Sequence, residues 1–215
     1  MSAIRIGGIE KFSIVDFPNR MSAVVFMQGC PWRCPFCHNT HLQDVNAETN
    51  IVWKKFMDFL EQRKGMLDAV VFSGGEPLVQ DTLGAAMDEV KALGYQIGLH
   101  TGGYRPAHLK EVLSKTDWVG FDIKAPAERY KDVTGGIADV EKVRESLHLL
   151  INSGVPFECR TTCDPRFLSV KDIYTIADTL KGLGVKEYYL QKYRKVPSDT
   201  DTTESQCLAL VEDTA

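Results

Sequence analysis

The chain has 215 residues, of which 44% are hydrophobic and 25% charged, and this composition excludes a fibrous or largely disordered protein. Its formal net charge of -4 disfavours a nucleic-acid partner, since residues 192–195 form the one short basic stretch. The longest strongly apolar run, residues 23–27, is too short to cross a membrane, and residues 1–8 lack an apolar leader. We therefore expect a cytoplasmic protein that binds neither nucleic acid nor membrane.

Short apolar, β-branched runs alternate along the chain with segments of helical spacing, and the runs predict six strands. The predicted strands are residues 22–27, 69–72, 96–99, 118–123, 156–161 and 187–190. Because strands separated by helices need crossover connections, the pattern predicts an α/β fold with a parallel sheet. Six units fit an open, curved (β/α)6 partial barrel or a doubly wound sheet. Either fold places its chemistry in the loops that follow the strands.

The chain is expected to form one domain over residues 1–195. Residues 196–215 begin with a polar stretch, 197–205, and end in a short apolar segment. We interpret them as a C-terminal tail rather than a second domain.

The densest chemical signal is a cysteine cluster in the loop after the first predicted strand. Cys30, Cys34 and Cys37 lie within eight residues, and without a secretory signal this grouping favours metal binding over disulfides. Thiolates are the ligands of iron–sulfur clusters, and three of them would leave the fourth iron of a [4Fe–4S] cluster open to a small molecule. A structural zinc site that adds His38 or a distant ligand is the alternative.

The spacing Cys-x3-Cys-x2-Cys resembles the radical S-adenosylmethionine (SAM) superfamily, and the chain is similar to its glycyl-radical-enzyme activating proteins. The resemblance extends from about residue 5 to residue 195, and it is strongest to the activating proteins of anaerobic ribonucleoside-triphosphate reductase. The stretches that carry it are residues 13–18 (SIVDFP), 24–30 (VVFMQGC), 37–39 (CHN), 73–77 (SGGEP), 122–126 (DIKAP), 160–162 (RTT) and 189–191 (YLQ).

The resemblance implies a partial barrel of the radical SAM type, a [4Fe–4S] cluster on the three cysteines, and SAM bound to its open iron. The residues that it implies for SAM binding are Gly74, Gly75, Glu76, Thr101, Asp122, Lys124, Arg160 and Gln191. Glu76 would accept from the methionyl amino group, and Lys124 would meet the carboxylate. Activating proteins often have Asp-Thr-Asn-Gly where residues 100–103 here are His-Thr-Gly-Gly, so a cation site in this loop is doubtful.

The implied reaction is reductive cleavage of SAM to a 5′-deoxyadenosyl radical, which takes a hydrogen atom from a glycine Cα of a partner enzyme. The electron would come from a low-potential donor such as flavodoxin or ferredoxin. Asp16 resembles a residue that lies near the cluster and faces the partner, and a turn-forming role is its alternative. His100 is interpreted as a structural histidine, since the reaction needs no base there.

Two other functions stay open. One is a radical SAM enzyme that acts on a small molecule, like 7-carboxy-7-deazaguanine synthase, and the other is a zinc-stabilised binding module. Cys159 and Cys163 are interpreted as buried thiols, because they are too few for a second cluster. The sequence assigns no role to Cys207.

Overall fold

A computed structural model of the chain describes residues 4–195 and shows one seven-stranded sheet. Its strands are β1 (Ile6–Ser13), β2 (Ser22–Met27), β3 (Ala69–Gly74), β4 (Gln96–Thr101), β5 (Trp118–Asp122), β6 (Phe157–Cys163) and β7 (Tyr188–Lys192). Their order in the sheet follows the chain from β1 to β7. The predicted tail, residues 196–215, lies outside the described residues.

All six predicted strands are present as β2 to β7, and each pairs in parallel with the next. The strand order never reverses, which excludes the doubly wound alternative. The partial (β/α)6 arrangement is therefore confirmed. Because the six strands run parallel, their carboxyl ends all lie at the same edge of the sheet.

The first strand was not predicted, and it makes the sheet mixed rather than wholly parallel. β1 pairs antiparallel with β2, from Ile6 opposite Met27 to Ser13 opposite Ser22, with two register irregularities. The alternation of apolar and polar residues that indicates a strand is interrupted here by Gly7 and Gly8 and by two charged residues at positions 10 and 11. As an edge strand it needs only one hydrogen-bonded neighbour, so a weakly β-forming sequence is sufficient.

Within residues 4–195, six α-helices connect or flank the strands. They are α1 (Trp53–Gln62), α2 (Leu83–Ala92), α3 (Pro106–Leu113), α4 (Tyr130–Val133), α5 (Val140–Ile151) and α6 (Val170–Gly182). Capping residues mark where α5 and α6 begin. The Asp139 side chain accepts from the Glu141 N–H at the start of α5, and Ser169 forms a capping box with Asp172 at the start of α6. No helix among residues 4–195 is long and apolar enough to cross a membrane.

The two faces of the sheet belong to different clusters. On β2, Ala23, Val25 and Met27 join the large core beneath the helices. Val24 belongs to a smaller cluster on the inner face of the partial barrel, together with Phe17 from the β1–β2 loop. The Phe17 ring lies 5.3 Å from that of Trp118, and a Cβ on Gly98 would come within 2.9 Å of it. The β1–β2 loop thus occupies part of the inner face, beside the site described next.

Candidate functional site

A cavity of about 220 Å³ lies at the carboxyl ends of the parallel strands. Its walls come from the loop after β2 and from the ends of β3 to β7. Every predicted site residue except Asp16 lines it, namely Cys30, Cys34, Cys37, Gly74, Gly75, Glu76, Thr101, Asp122, Lys124, Arg160 and Gln191. Residues up to 161 positions apart in the chain therefore meet at one place (Cys30 to Gln191). This convergence is the outcome expected for the C-terminal loops of parallel strands.

The cysteine loop is anchored to its neighbours by main-chain hydrogen bonds. Gly29 has φ +102, a conformation that favours glycine, and its N–H donates to the Leu42 carbonyl at 2.8 Å. Its carbonyl accepts from the Glu76 N–H at 2.9 Å, and a Cβ on Gly75 would lie 2.3 Å from that same oxygen. Gly75 therefore allows the loop after β3 to touch the cysteine loop directly.

The thiols interact with one another and with nearby charges. Burial raises the pKa of Cys30 to about 12, and the Glu76 carboxylate adds to this effect while Lys124 opposes it. Burial also raises the pKa of Cys34, with Cys37 contributing in the same direction. The Trp32 main-chain N–H donates to Cys30 and lowers its pKa. In the protein alone these thiols are protonated, so a bound metal would have to displace their protons.

A donor set of soft sulfurs, partly buried in a cavity with an opposing cation, fits an iron–sulfur cluster. Cys34 is 8% exposed, and Lys124 lies close enough to both Cys30 and Cys34 to affect their pKa values. Within the described part of the chain, no three His, Cys, Asp or Glu side chains are grouped closely enough to hold a single metal ion.

Glu76 is a buried carboxylate held by three donors. Oε1 accepts from the Thr101 hydroxyl at 2.6 Å and from the Leu78 N–H at 3.1 Å, while Oε2 accepts from the Gly102 N–H at 2.9 Å. Burial raises the pKa of Glu76, and these hydrogen bonds oppose the rise. The Thr101 hydroxyl also accepts from the Gly103 N–H at 3.0 Å. Thr101 thus orients Glu76.

Asp122, Lys124 and Arg160 form one ion network on the opposite wall. Arg160 donates to Asp122 Oδ1 from Nε at 3.1 Å and from Nη2 at 3.0 Å, and Lys124 Nζ lies 3.4 Å from Oδ2. Burial alone would raise the pKa of Asp122, but the two cations lower it to about 2. A Cβ on Gly120 would lie 2.6 Å from the Arg160 guanidinium carbon. The glycine therefore lets the arginine lie flat across β5.

His100 joins this wall to the β1–β2 loop. Its Nε2 lies 2.8 Å from the Asp16 carbonyl, and its Nδ1 lies 3.2 Å from the Ser73 hydroxyl. Burial, followed by the charge of Arg160, lowers the pKa of His100 to about 3. The Asp16 carbonyl can only accept, so the neutral ring donates to it from Nε2 and accepts at Nδ1 from the Ser73 hydroxyl. Arg160 Nη1 also lies 3.3 Å from Nε2, where a protonated Nε2 leaves it a polar contact without a hydrogen bond. His100 is satisfied on both nitrogens, as a structural histidine should be.

The pH dependence of stability is expected to report the buried, neutral His100. The unfolded histidine binds a proton near its ordinary pKa of 6.5, whereas the folded one resists protonation until about 3. The free energy of unfolding should therefore fall as pH decreases through this window, by up to about 1.4 kcal/mol per pH unit. Urea unfolding at several pH values should show a shallower slope for His100→Gln. An unchanged slope would contradict the assignment.

Asp16 is the predicted site residue that does not line the cavity. It lies in the β1–β2 loop, where its Oδ2 accepts from the Ser13 hydroxyl at 2.5 Å, and only its main-chain carbonyl reaches His100. The carboxylate thus makes the local turn contact that the sequence allowed as an alternative. Cys159 and Cys163 are fully buried and lie outside the cavity lining, and Cys207 falls outside the described residues.

Trp32 lines the cavity and is 2% exposed, yet the sequence assigned it no role. The feature of the sequence that could have identified Trp32 as a site residue is its position between the first two cysteines. The sequence also did not indicate the roles of Gly102 and Gly120. Gly102 leaves space for the Trp32 ring and Gly120 for the Arg160 guanidinium, and both side chains come from distant parts of the chain, so no local pattern predicts these contacts.

The model of the radical SAM superfamily matches residues 24–165. A Methanocaldococcus jannaschii protein assigned as a glycyl-radical enzyme activating enzyme is 30% identical over 209 residues, which cover 89% of this chain and 85% of that protein. The pyruvate formate-lyase-activating enzyme of Clostridium pasteurianum is 32% identical over 190 residues, covering 83% and 77%. The 7-carboxy-7-deazaguanine synthase of Hyperthermus butylicus is 25% identical over 207 residues, covering 83% and 86%.

Solved structures share the fold. Streptococcus suis SuiB bound to S-adenosylmethionine matches with a TM-score of 0.65 at 15% identity, over 86% of this chain and 44% of that one. Native anSMEcpe with bound AdoMet and the Kp18Cys peptide matches with a TM-score of 0.66 at 14% identity, over 87% and 56%. This chain thus spans about half the length of those two proteins. With the family match over residues 24–165, these findings show that the chain belongs to the radical SAM superfamily, which uses a [4Fe–4S] cluster and SAM, and is related to its glycyl-radical enzyme activating enzymes.

Proposed function

We propose that this chain generates a glycyl radical on a partner enzyme, and that the partner is an anaerobic ribonucleoside-triphosphate reductase. The observation that carries the proposal is the convergence of three cysteines, a buried glutamate and an Asp–Lys–Arg network on one cavity. The activating enzymes among the relatives support the reaction class. The choice of partner rests on the sequence stretches at residues 73–77, 122–126, 160–162 and 189–191.

Cys30, Cys34 and Cys37 are proposed as the three protein ligands of the [4Fe–4S] cluster. When bound, the cluster and SAM supply the electron transfer and the carbon radical that removes a hydrogen atom from the partner's glycine. The protein's own task is to hold the thiolates, orient SAM and exclude competing reactions. Lys124 lies near Cys30 and Cys34, where its charge favours the thiolate forms.

The cavity residues outside the cysteine loop are proposed to bind SAM. Glu76 is held rigidly by three donors, and its remaining lone pairs can accept from an ammonium group. Gly74 and Gly75 keep the adjacent backbone free of side chains. Lys124 and Arg160 are paired by Asp122, yet both line the cavity, where a carboxylate or ribose can use their remaining donors.

The open side of the sheet offers a route for a partner's peptide loop. On β7, the last strand in the sheet order, Gln191 lines the cavity, and Tyr189, two residues earlier on the same face, is 51% exposed. We propose that the glycine-bearing loop enters beside these residues. Asp16 would contact the partner outside the cavity, and the reducing electron would come from flavodoxin or ferredoxin.

The decisive experiment mixes the anaerobically reconstituted chain with SAM, a reductant and the reductase, and records the EPR spectrum. A glycyl-radical signal that is absent when the target glycine of the reductase is changed to alanine is the expected result. Pyruvate formate-lyase serves as a parallel partner. A radical only on pyruvate formate-lyase would overturn the choice of partner, whereas failure to cleave SAM would overturn the function itself.

The relative from Hyperthermus butylicus keeps small-molecule chemistry as the second candidate. It predicts that a small-molecule product forms when no protein partner is present. Chromatography of such a reaction separates the two candidates, because an activating enzyme should form no deazaguanine product.

A further inference from the structure

The Trp32 side chain is fixed inside the cysteine loop. In the sequence it stands halfway between Cys30 and Cys34, and it lines the cavity. Its ring packs edge-on against those of Tyr104 and Tyr130, with ring centroids 6.3 Å apart in both pairs. On one side the six-membered ring presses against Gly102, where a Cβ would lie 2.2 Å from Cζ3. The Lys124 ammonium lies 5.8 Å from the ring centroid. These contacts hold the ring on several sides.

The indole N–H of Trp32 is buried and has no hydrogen-bond partner among residues 4–195. A buried donor without an acceptor has lost its hydrogen bonds to water and gained none in return, so its presence calls for a physical reason. In contrast, the indole N–H of the half-buried Trp53 donates to Glu89 at 2.8 Å. The Tyr188 hydroxyl, the other buried atom of this kind, lies against Thr161. Trp32 is therefore the unusual case, and it lines the cavity that holds the cysteines.

The position of the ring limits where an acceptor for the indole N–H can lie. Cζ3 and Cη2 face Gly102, so Nε1, at the opposite edge of the indole, points away from that loop. The main-chain N–H of the same residue already donates to the Cys30 sulfur. A cluster bound by Cys30 and Cys34 would bring further sulfur acceptors to the loop that carries Trp32.

We infer that the Trp32 indole N–H donates to a sulfur of the bound cluster and thereby raises the cluster's reduction potential. The inference rests on the proposed cluster site. Reduction adds negative charge to the sulfurs, so a hydrogen bond to them stabilises the reduced form more than the oxidised form. Trp32 is thus a positioning and tuning residue, since it acts on the electron-accepting step through the cluster.

The test is an EPR-monitored redox titration of the full reconstituted chain without SAM. Trp32→Phe retains the ring and removes the donor, so its midpoint potential should shift to a more negative value than that of the wild type. Trp53→Phe removes an indole N–H outside the cavity and should titrate like the wild type. A midpoint for Trp32→Phe equal to that of Trp53→Phe would overturn the inference.

A second measurement uses the wild-type protein, so it does not depend on the variant folding. With ¹⁵N-indole tryptophan, the reduced cluster should show a ¹⁵N hyperfine coupling that Trp53→Phe retains. Absence of the coupling, or its appearance only after SAM is added, would overturn the assignment to the cluster. A wild-type protein that takes up no iron would instead overturn the proposed function, so the two failures are distinguishable.

Discussion

Cys34→Ser is expected to leave the chain without a stable [4Fe–4S] cluster and to lower the rate of SAM cleavage by more than about 100-fold. A hydroxyl is a harder and more weakly acidic ligand than a thiol, so the cluster would lose one of its three protein ligands. Losing a group that only supports a ligand already costs about 10–100-fold. Iron content, visible absorption and 5′-deoxyadenosine formation measure the effect.

The matched control for this variant is Cys159→Ala. Cys159 is fully buried but lies outside the cavity, and burial raises its pKa to about 12, as for Cys30. Its replacement should cost about 1 kcal/mol of stability while iron content and SAM cleavage stay at wild-type levels. Equal loss of iron in both variants would show that the cysteine loop does not hold the cluster.

Gly102→Ala is expected to destabilise the protein by about 2–3 kcal/mol and to weaken SAM binding. The added Cβ would lie 2.2 Å from Cζ3 and 2.6 Å from Cη2 of Trp32, a rigid ring that cannot yield without moving the cysteine loop. The Gly102 N–H also donates to Glu76, so a backbone shift would disturb that carboxylate. Urea unfolding and equilibrium SAM binding are the measurements.

Gly182→Ala is the control for the backbone effect of the same substitution. Gly182 ends α6 and has no atom within 4 Å of an added Cβ, so alanine should stabilise the helix by about 0.5–1 kcal/mol. SAM binding should not change. A Gly102→Ala protein as stable as Gly182→Ala would contradict the tight packing of Trp32 against Gly102.

Local patterns in the sequence were sufficient for the six parallel strands and for the cysteine loop, whereas the predicted SAM-binding residues came from the family resemblance. Strand periodicity extends over only a few residues, and the polar motifs follow the strands directly, so both can be read without knowing the fold. Asp122 and Lys124 lie two residues apart at a strand end, a spacing that places both side chains on the same side of the sheet, and Lys124 Nζ lies 3.4 Å from Asp122 Oδ2. In contrast, β1 was not predicted, because its glycines and charged residues interrupt the alternation of apolar and polar residues that indicates a strand.

The sequence by itself determined the six βα units, the cysteine loop and the chemistry that these residues offer. Only the tertiary structure decided how they are arranged: Glu76 is held by Thr101 and Gly102, Arg160 lies over Gly120, and His100 ties the β1–β2 loop to the cavity wall. It also directed the Asp16 carboxylate to Ser13 rather than into the cavity. Apart from the local Asp16–Ser13 pair, these contacts join residues 25 to 84 positions apart in the chain. Such pairings depend on strand register and on the space that glycines leave, and no local sequence pattern encodes either.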